Sequence, residues 1–124
     1  MKTCLLSLLL LLSYCFTTVA QPVLPKEDNS IRILSYNVRN GKGMDNITDY
    51  QRVADVINRI APDVVAVQEL DSVTQRNNGV YSLGELAQRT LMHATYAGSI
   101  DYQGGKYGIG MLSKEKPVSY KRVP

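Results

Sequence analysis

The ten residues PDVVAVQELD, Pro62–Asp71, restrict this chain more than any other stretch. Val64, Val65, Ala66 and Val67 form an unbroken apolar run, the pattern of a strand covered on both faces, as in the parallel sheets of α/β proteins. Pro62 disfavours helical backbone at the residue before it, so a helix arriving from the N-terminal side must stop near Ala61. The preceding residues encode such a helix. Val53, Val56, Ile57 and Ile60 recur on one stripe, and Thr48 with Gln51 has the spacing of a capping box at its start. Before it lies IRILSYNV, with Ile31, Ile33 and Ser35 on one face of a strand and Leu34, Tyr36 and Val38 on the other, ended by a loop that Gly41 and Gly43 mark. Strand, helix, strand in this order is one crossover unit. It predicts two parallel strands whose C-terminal ends share a rim.

A second helix is expected from Ser82 and Glu85, again spaced as a capping box, with Leu83, Leu86, Ala87 and Leu91 as its apolar stripe. HATYAG and YGIGMLS then read as short strands around a Gly104–Gly105 turn, and VSYKRV as the start of another. GGKYG, Gly104–Gly108, lacks the spacing of a phosphate-cradling loop, since Ile100 and Tyr107 stand where Gly and Ser/Thr are needed.

The first twenty residues are expected to stand outside this fold. Lys2, the apolar run CLLSLLLLLSYCF and small residues at Thr18 and Ala20 have the order of a secretory signal peptide, with cleavage between Ala20 and Gln21. The run is short for a membrane span. Lipidation at Cys15 is the alternative, disfavoured by the bulky Tyr14 before it. Residues 21–30, QPVLPKEDNS, read as a polar tether. A secreted or periplasmic protein is the expectation. Cys4 and Cys15 leave with the leader, so the mature chain has neither disulfide, cysteine nucleophile nor thiolate zinc site. His93 is the only histidine, which excludes a multi-histidine metal cage. Fourteen basic and eleven acidic side chains, less Lys2, leave a net charge of +2 without any basic run, so there is no footprint of a dedicated nucleic-acid binder. Oxygen chemistry is what remains.

The parallel unit brings two oxygen donors to one rim, Asn37 at the end of the first strand and Glu69 at the end of the second. Mg²⁺ takes oxygen ligands, and one or two carboxylates plus substrate phosphate commonly hold it. On spacing alone the bland alternative stands beside this one: Asn37 satisfying loop backbone and Glu69 solvated at a strand end.

The wording around these residues tips the balance. ILSYNVRNGKG, a helix, PDVVAVQELD and then YGIGMLSK resemble, in order and spacing, the N-terminal part of the endonuclease/exonuclease/phosphatase superfamily, the DNase I-like phosphoesterases. The resemblance runs from Ile31 to Lys114, and it assigns residues 31–124 to the N-terminal part of such a domain. It implies an α/β (α+β) fold, an incomplete DNase I-like four-layer α/β/β/α sandwich. It also implies a divalent-metal site for Mg²⁺ or Mn²⁺ with Glu69 as ligand and Asn37 as ligand or orienting group, both catalytic. Substrates would be phosphate esters: nucleic acid, phospholipid headgroup or inositol phosphate. Arg39 flanks this site, either meeting a phosphate oxygen or solvated in the loop. The family's later motifs, an Asp-x-Asn strand end and a Ser-Asp-His, do not occur after Glu69. Residues 1–124 alone are therefore expected to be inactive. The competing expectation is a non-catalytic truncated remnant, acting as a binding or dimerising module.

Overall fold

Six regular elements follow one another along the chain: β1 (Ile33–Asn37), α1 (Tyr50–Ile60), β2 (Val64–Ser72), α2 (Ser82–Thr90), β3 (His93–Tyr102) and β4 (Gly105–Ser113). The structure is a computed structural model that describes residues 25–121 and residue 123. The expected leader (residues 1–20), its cleavage point and the start of the tether lie outside the described residues.

The strands form one sheet in the order β1-β2-β4-β3. β1 and β2 are parallel, in register from Ile33 opposite Val64 to Asn37 opposite Gln68, as a crossover through α1 requires. β4 runs antiparallel to both β2 and β3, and the β3–β4 hairpin turns at Gln103–Gly104. Its tip therefore stands at the same rim as the C-terminal ends of β1 and β2. His93 is carried to the opposite rim, since it pairs with Ser113, which pairs in turn with Val64.

Both helices cover one face of the sheet. Ile57 of α1 and Leu83 and Leu86 of α2 are buried against Val65, Val67, Leu70 and Leu112. Each such side chain contributes about 1.5–3 kcal/mol on leaving water. Gly110 lets α2 come this close, because a Cβ there would lie 2.5 Å from Leu83 Cδ2. The other face has no second layer among the described residues: Ile33 is 71% and Ile109 52% exposed. The cover on both faces expected for β2 is found on one face only among the described residues: Val65 and Val67 are buried, while Val64 and Ala66 on the other face are half-buried.

Both helix starts differ from expectation. Asp49, not Thr48, caps α1, its carboxylate accepting from the Gln51 and Arg52 amides at 2.8 and 3.2 Å. Thr48 is instead held in a bridge with Lys42. Ser82 is the first residue of α2 rather than its cap, and Tyr81 in the cap position makes no side-chain cap bond. The Ser82 hydroxyl is drawn into a buried polar network described below. The stripes shift as well. Leu91 is exposed because it closes α2 in left-handed backbone (φ +55°), and Val56 is 39% exposed while Ala54 takes a core position. Val118–Lys121 form no strand.

Candidate active site

A strand with a period of two cannot bury Val65 and Val67 and also aim Glu69 away from the core, because all three would share a face. The register of β2 against β4 slips between Val67 and Leu70, and Glu69 takes a left-handed conformation (φ +60°) inside that bulge. Leu70 thereby inherits the inward position and is fully buried, while Glu69 is turned into a cleft. A non-glycine residue held in this region costs on the order of 1–3 kcal/mol, which the buried neighbours on either side must offset.

Asn37 stands beside it. Its Nδ2 donates to Glu69 Oε1 at 2.7 Å, and its Oδ1 accepts from the Arg39 amide at 3.0 Å. The amide nitrogen orients the Glu69 carboxylate, while Oδ1, which accepts a single bond, keeps a second lone pair. Arg39, Asn40 and Gly41 all have positive φ (46°, 50° and 77°), which bends the chain sharply back under the site. Only glycine fits at 41, where a Cβ would lie 2.7 Å from the Tyr50 ring.

Asp71 anchors the floor behind this pair and is wholly buried. Oδ2 accepts from Arg76 Nε at 2.6 Å, Thr74 Oγ1 at 2.8 Å and Asn40 Nδ2 at 3.1 Å, and Oδ1 accepts from Arg76 Nη2 at 2.7 Å. Burial pushes the Asp71 carboxyl up, but hydrogen bonds from Arg76 and Thr74 outweigh it and hold the group below its ordinary value. The network extends through Asn40 Oδ1, which accepts from the Ser82 hydroxyl at 2.7 Å, to Asn77 and the Tyr50 hydroxyl. A chain of satisfied, buried and half-buried polar groups therefore ties both helices to the loop after β1. The Arg76 guanidinium lies 4.6 Å from the centre of the Tyr102 ring and 5.5 Å from that of Tyr107.

The cleft has a volume of about 720 Å³, with Arg39, Lys42, Glu69, Arg76, Tyr102 and Tyr107 among its lining residues. Burial, and after it the Glu69 charge, pushes the Tyr107 phenol up. Glu69 Oε2 has no hydrogen-bond partner among the described residues, so one carboxylate oxygen is free for a cation. No group of three His, Cys, Asp or Glu side chains converges among the described residues. This donor set fits an ion such as Mg²⁺ that keeps most of its waters, and does not fit a fully protein-caged metal.

The structure brings Asn37 and Glu69 together and leaves His93 remote. Asn40, Lys42, Asp71 and Arg76 were not singled out by sequence reasoning. The only signal was Asp71, Thr74 and Arg76 falling together across the end of β2 and the turn after it, a pattern too common to stand out.

The model of the Endonuclease/Exonuclease/phosphatase family matches residues 34–124. The chain belongs to this family. No curated protein matches it. Among solved structures, the endonuclease/exonuclease/phosphatase from Beutenbergia cavernae is similar at 21% identity and a TM-score of 0.57, over 73% of this chain and 27% of that one. An endonuclease/exonuclease/phosphatase family protein from Leptotrichia buccalis is similar at 18% identity and a TM-score of 0.55, over 70% of this chain and 39% of that one. At such identities the likeness is one of fold, and the expected partial α/β architecture of the family is what the chain has. It spans well under half of the structures it matches.

Proposed function

We propose that this family member is the N-terminal part of an exported, divalent-metal-dependent phosphoesterase in which Glu69 holds Mg²⁺ or Mn²⁺. The observation that carries this reading is the 2.7 Å contact between Asn37 and Glu69 at the rim, which leaves Glu69 Oε2 open to the cleft. A bulge and a left-handed residue maintain this arrangement at a cost that a solvated strand end does not require. The leader-like residues 1–20 support export.

When bound, a divalent cation supplies charge neutralisation at a phosphoryl oxygen. The chain's own residues do the rest. Glu69 would hold the cation through Oε2. Asn37 fixes the carboxylate rotamer from one side, and its other end is locked by the Arg39 amide. Tyr102 and Tyr107 wall the cleft. The described rim holds no free acid besides Glu69, and His93 lies at the far edge, so water activation has no base here. Residues 1–124 alone therefore bind metal but do not turn over.

The test is incubation of the pure chain with Mg²⁺ or Mn²⁺ and a simple phosphodiester. No hydrolysis is expected, together with metal binding that Glu69→Gln removes. Metal-dependent cleavage by protein ending at Pro124 would sink the claim of inactivity. Metal affinity unchanged in Glu69→Gln would sink the assignment of the site.

A further inference from the structure

The cleft beside Glu69 carries more positive charge than its own acids neutralise. Arg39, Lys42 and Arg76 line it, and Glu69 is the one acidic side chain in the lining. Arg76 is matched by Asp71 beneath it. Among the described residues Arg39 and Lys42 are in no ion pair, and the Arg39 guanidinium makes a single 3.4 Å contact, to the Gly43 carbonyl. Elsewhere on the described surface, Lys26 and Lys114 share Asp63, Arg52 meets Asp45, Arg89 meets Glu85 and Lys106 meets Asp101, while Arg59, Lys116 and Lys121 form no ion pair among the described residues. Arg39 and Lys42 differ from those three in lining one cleft together with Glu69.

The backbone that carries them is held in place. The Gly41 amide donates to the Val38 carbonyl at 2.8 Å, the Lys42 amide to the Arg39 carbonyl at 2.9 Å, and the Asp49 amide to the Gly41 carbonyl at 2.9 Å. Lys42 is further bridged to Thr48. The backbone that presents both side chains is thus ordered before any ligand arrives, which lowers the entropic cost of binding one.

We infer that Arg39 and Lys42 form a second anion subsite, and that the substrate is a phosphate ester bearing at least one further phosphate besides the one at Glu69. The position of the first phosphate rests on the function proposed above. A zwitterionic headgroup such as phosphocholine would bring a cation into this basic cleft and is disfavoured by it. Arg76 has its charge matched by Asp71 and lies over Tyr102, so it belongs to the cleft wall and not to the subsite.

The experiment compares thymidine 5′-monophosphate with thymidine 3′,5′-bisphosphate, binding to the full chain by calorimetry at low salt, with and without Mg²⁺. Two partly exposed charge contacts predict about tenfold tighter binding of the bisphosphate. In Arg39→Gln/Lys42→Gln, both positions exposed, that ratio falls to about one. Arg59→Gln/Lys116→Gln, which removes equal charge elsewhere, keeps it. Equal affinities in the wild-type chain, or a ratio retained by the cleft variant, overturn the inference. Glu69→Gln separates the two proposals. It abolishes any Mg²⁺ enhancement of monophosphate binding yet preserves the ratio measured without metal. If Mg²⁺ has no effect on the wild-type chain while the ratio holds, the metal assignment fails and the anion subsite stands.

Discussion

Replacing Asp71 by Asn is a demanding test of the polar floor under the site, because it keeps the shape and removes the charge. Asp71 accepts four hydrogen bonds, two of them from Arg76. If the Asn oxygen occupies the Oδ2 position, it still serves Arg76 Nε, Thr74 and Asn40, but its amide nitrogen then faces Arg76 Nη2, donor against donor. One charge-assisted bond is lost, worth about 1.5–3 kcal/mol. Breaking a fully buried ion pair costs about 3–5 kcal/mol. Asp71 is 0% exposed but the Arg76 side chain is 41% exposed, so its guanidinium can turn to water and the cost falls below that range. About 2–3 kcal/mol is expected, read in urea denaturation as a midpoint lower by about 1–2 M. The deficit must also depend on pH. The folded carboxyl titrates below its ordinary value, so its stabilisation is present in full above the unfolded value of about 3.9 and is lost as pH falls through the lower folded value. Wild type and Asp71→Asn should differ by a constant amount from pH 5 to 7 and converge in acid below about pH 4. A deficit under about 0.5 kcal/mol at pH 7, or one that persists unchanged at pH 2, would refute this reasoning.

Asn37→Ala should leave Glu69 in place but unheld, lowering Mn²⁺ affinity about 10- to 100-fold by calorimetry, as loss of an orienting partner does at other metal sites. Asp49→Ala should cost about 1 kcal/mol in thermal melts through loss of the α1 cap, whereas Thr48→Ala should change stability by less than about 0.5 kcal/mol. Gly105→Ala should destabilise more than Gly110→Ala. The new Cβ at 105 meets backbone at 2.2 Å (Ser72 O) and 2.6 Å (Val73 C), while at 110 it meets the movable end of Leu83. About 3 kcal/mol or more against about 1–2 kcal/mol is expected in paired urea titrations.

The parallel pair, both helices and the β3–β4 hairpin were legible because each rests on local pattern: an apolar run, a 3.6-residue stripe, a glycine turn. Cap identity was not. Thr48–Gln51 and Asp49–Arg52 are competing local solutions one residue apart, and the bridge to Lys42 decided for Asp49. Ser82 misled for a similar reason, since a half-buried Asn40 oxygen outbids a helix amide for its hydroxyl. At the site, Asn37 and Glu69 could be read as strand ends in a parallel register. The bulge that makes Glu69 usable could not, because the sequence signals of a bulge are weak without its partner strand. Asp71 and Arg76 lay beyond reach because their meaning comes from a neighbour 31 residues away, Asn40, and from the tyrosines of a hairpin still further on.

The central claim is that Glu69 holds the metal. Mn²⁺ broadens NMR signals of nearby nuclei, so a titration of the ¹⁵N-labelled chain locates the ion directly. The account predicts that amides of Asn37, Val38, Glu69 and Leu70 broaden first, and that Glu69→Gln abolishes this selectivity. Broadening centred instead on another acidic position such as Asp63 or Asp45, or an unchanged pattern in Glu69→Gln, would contradict it.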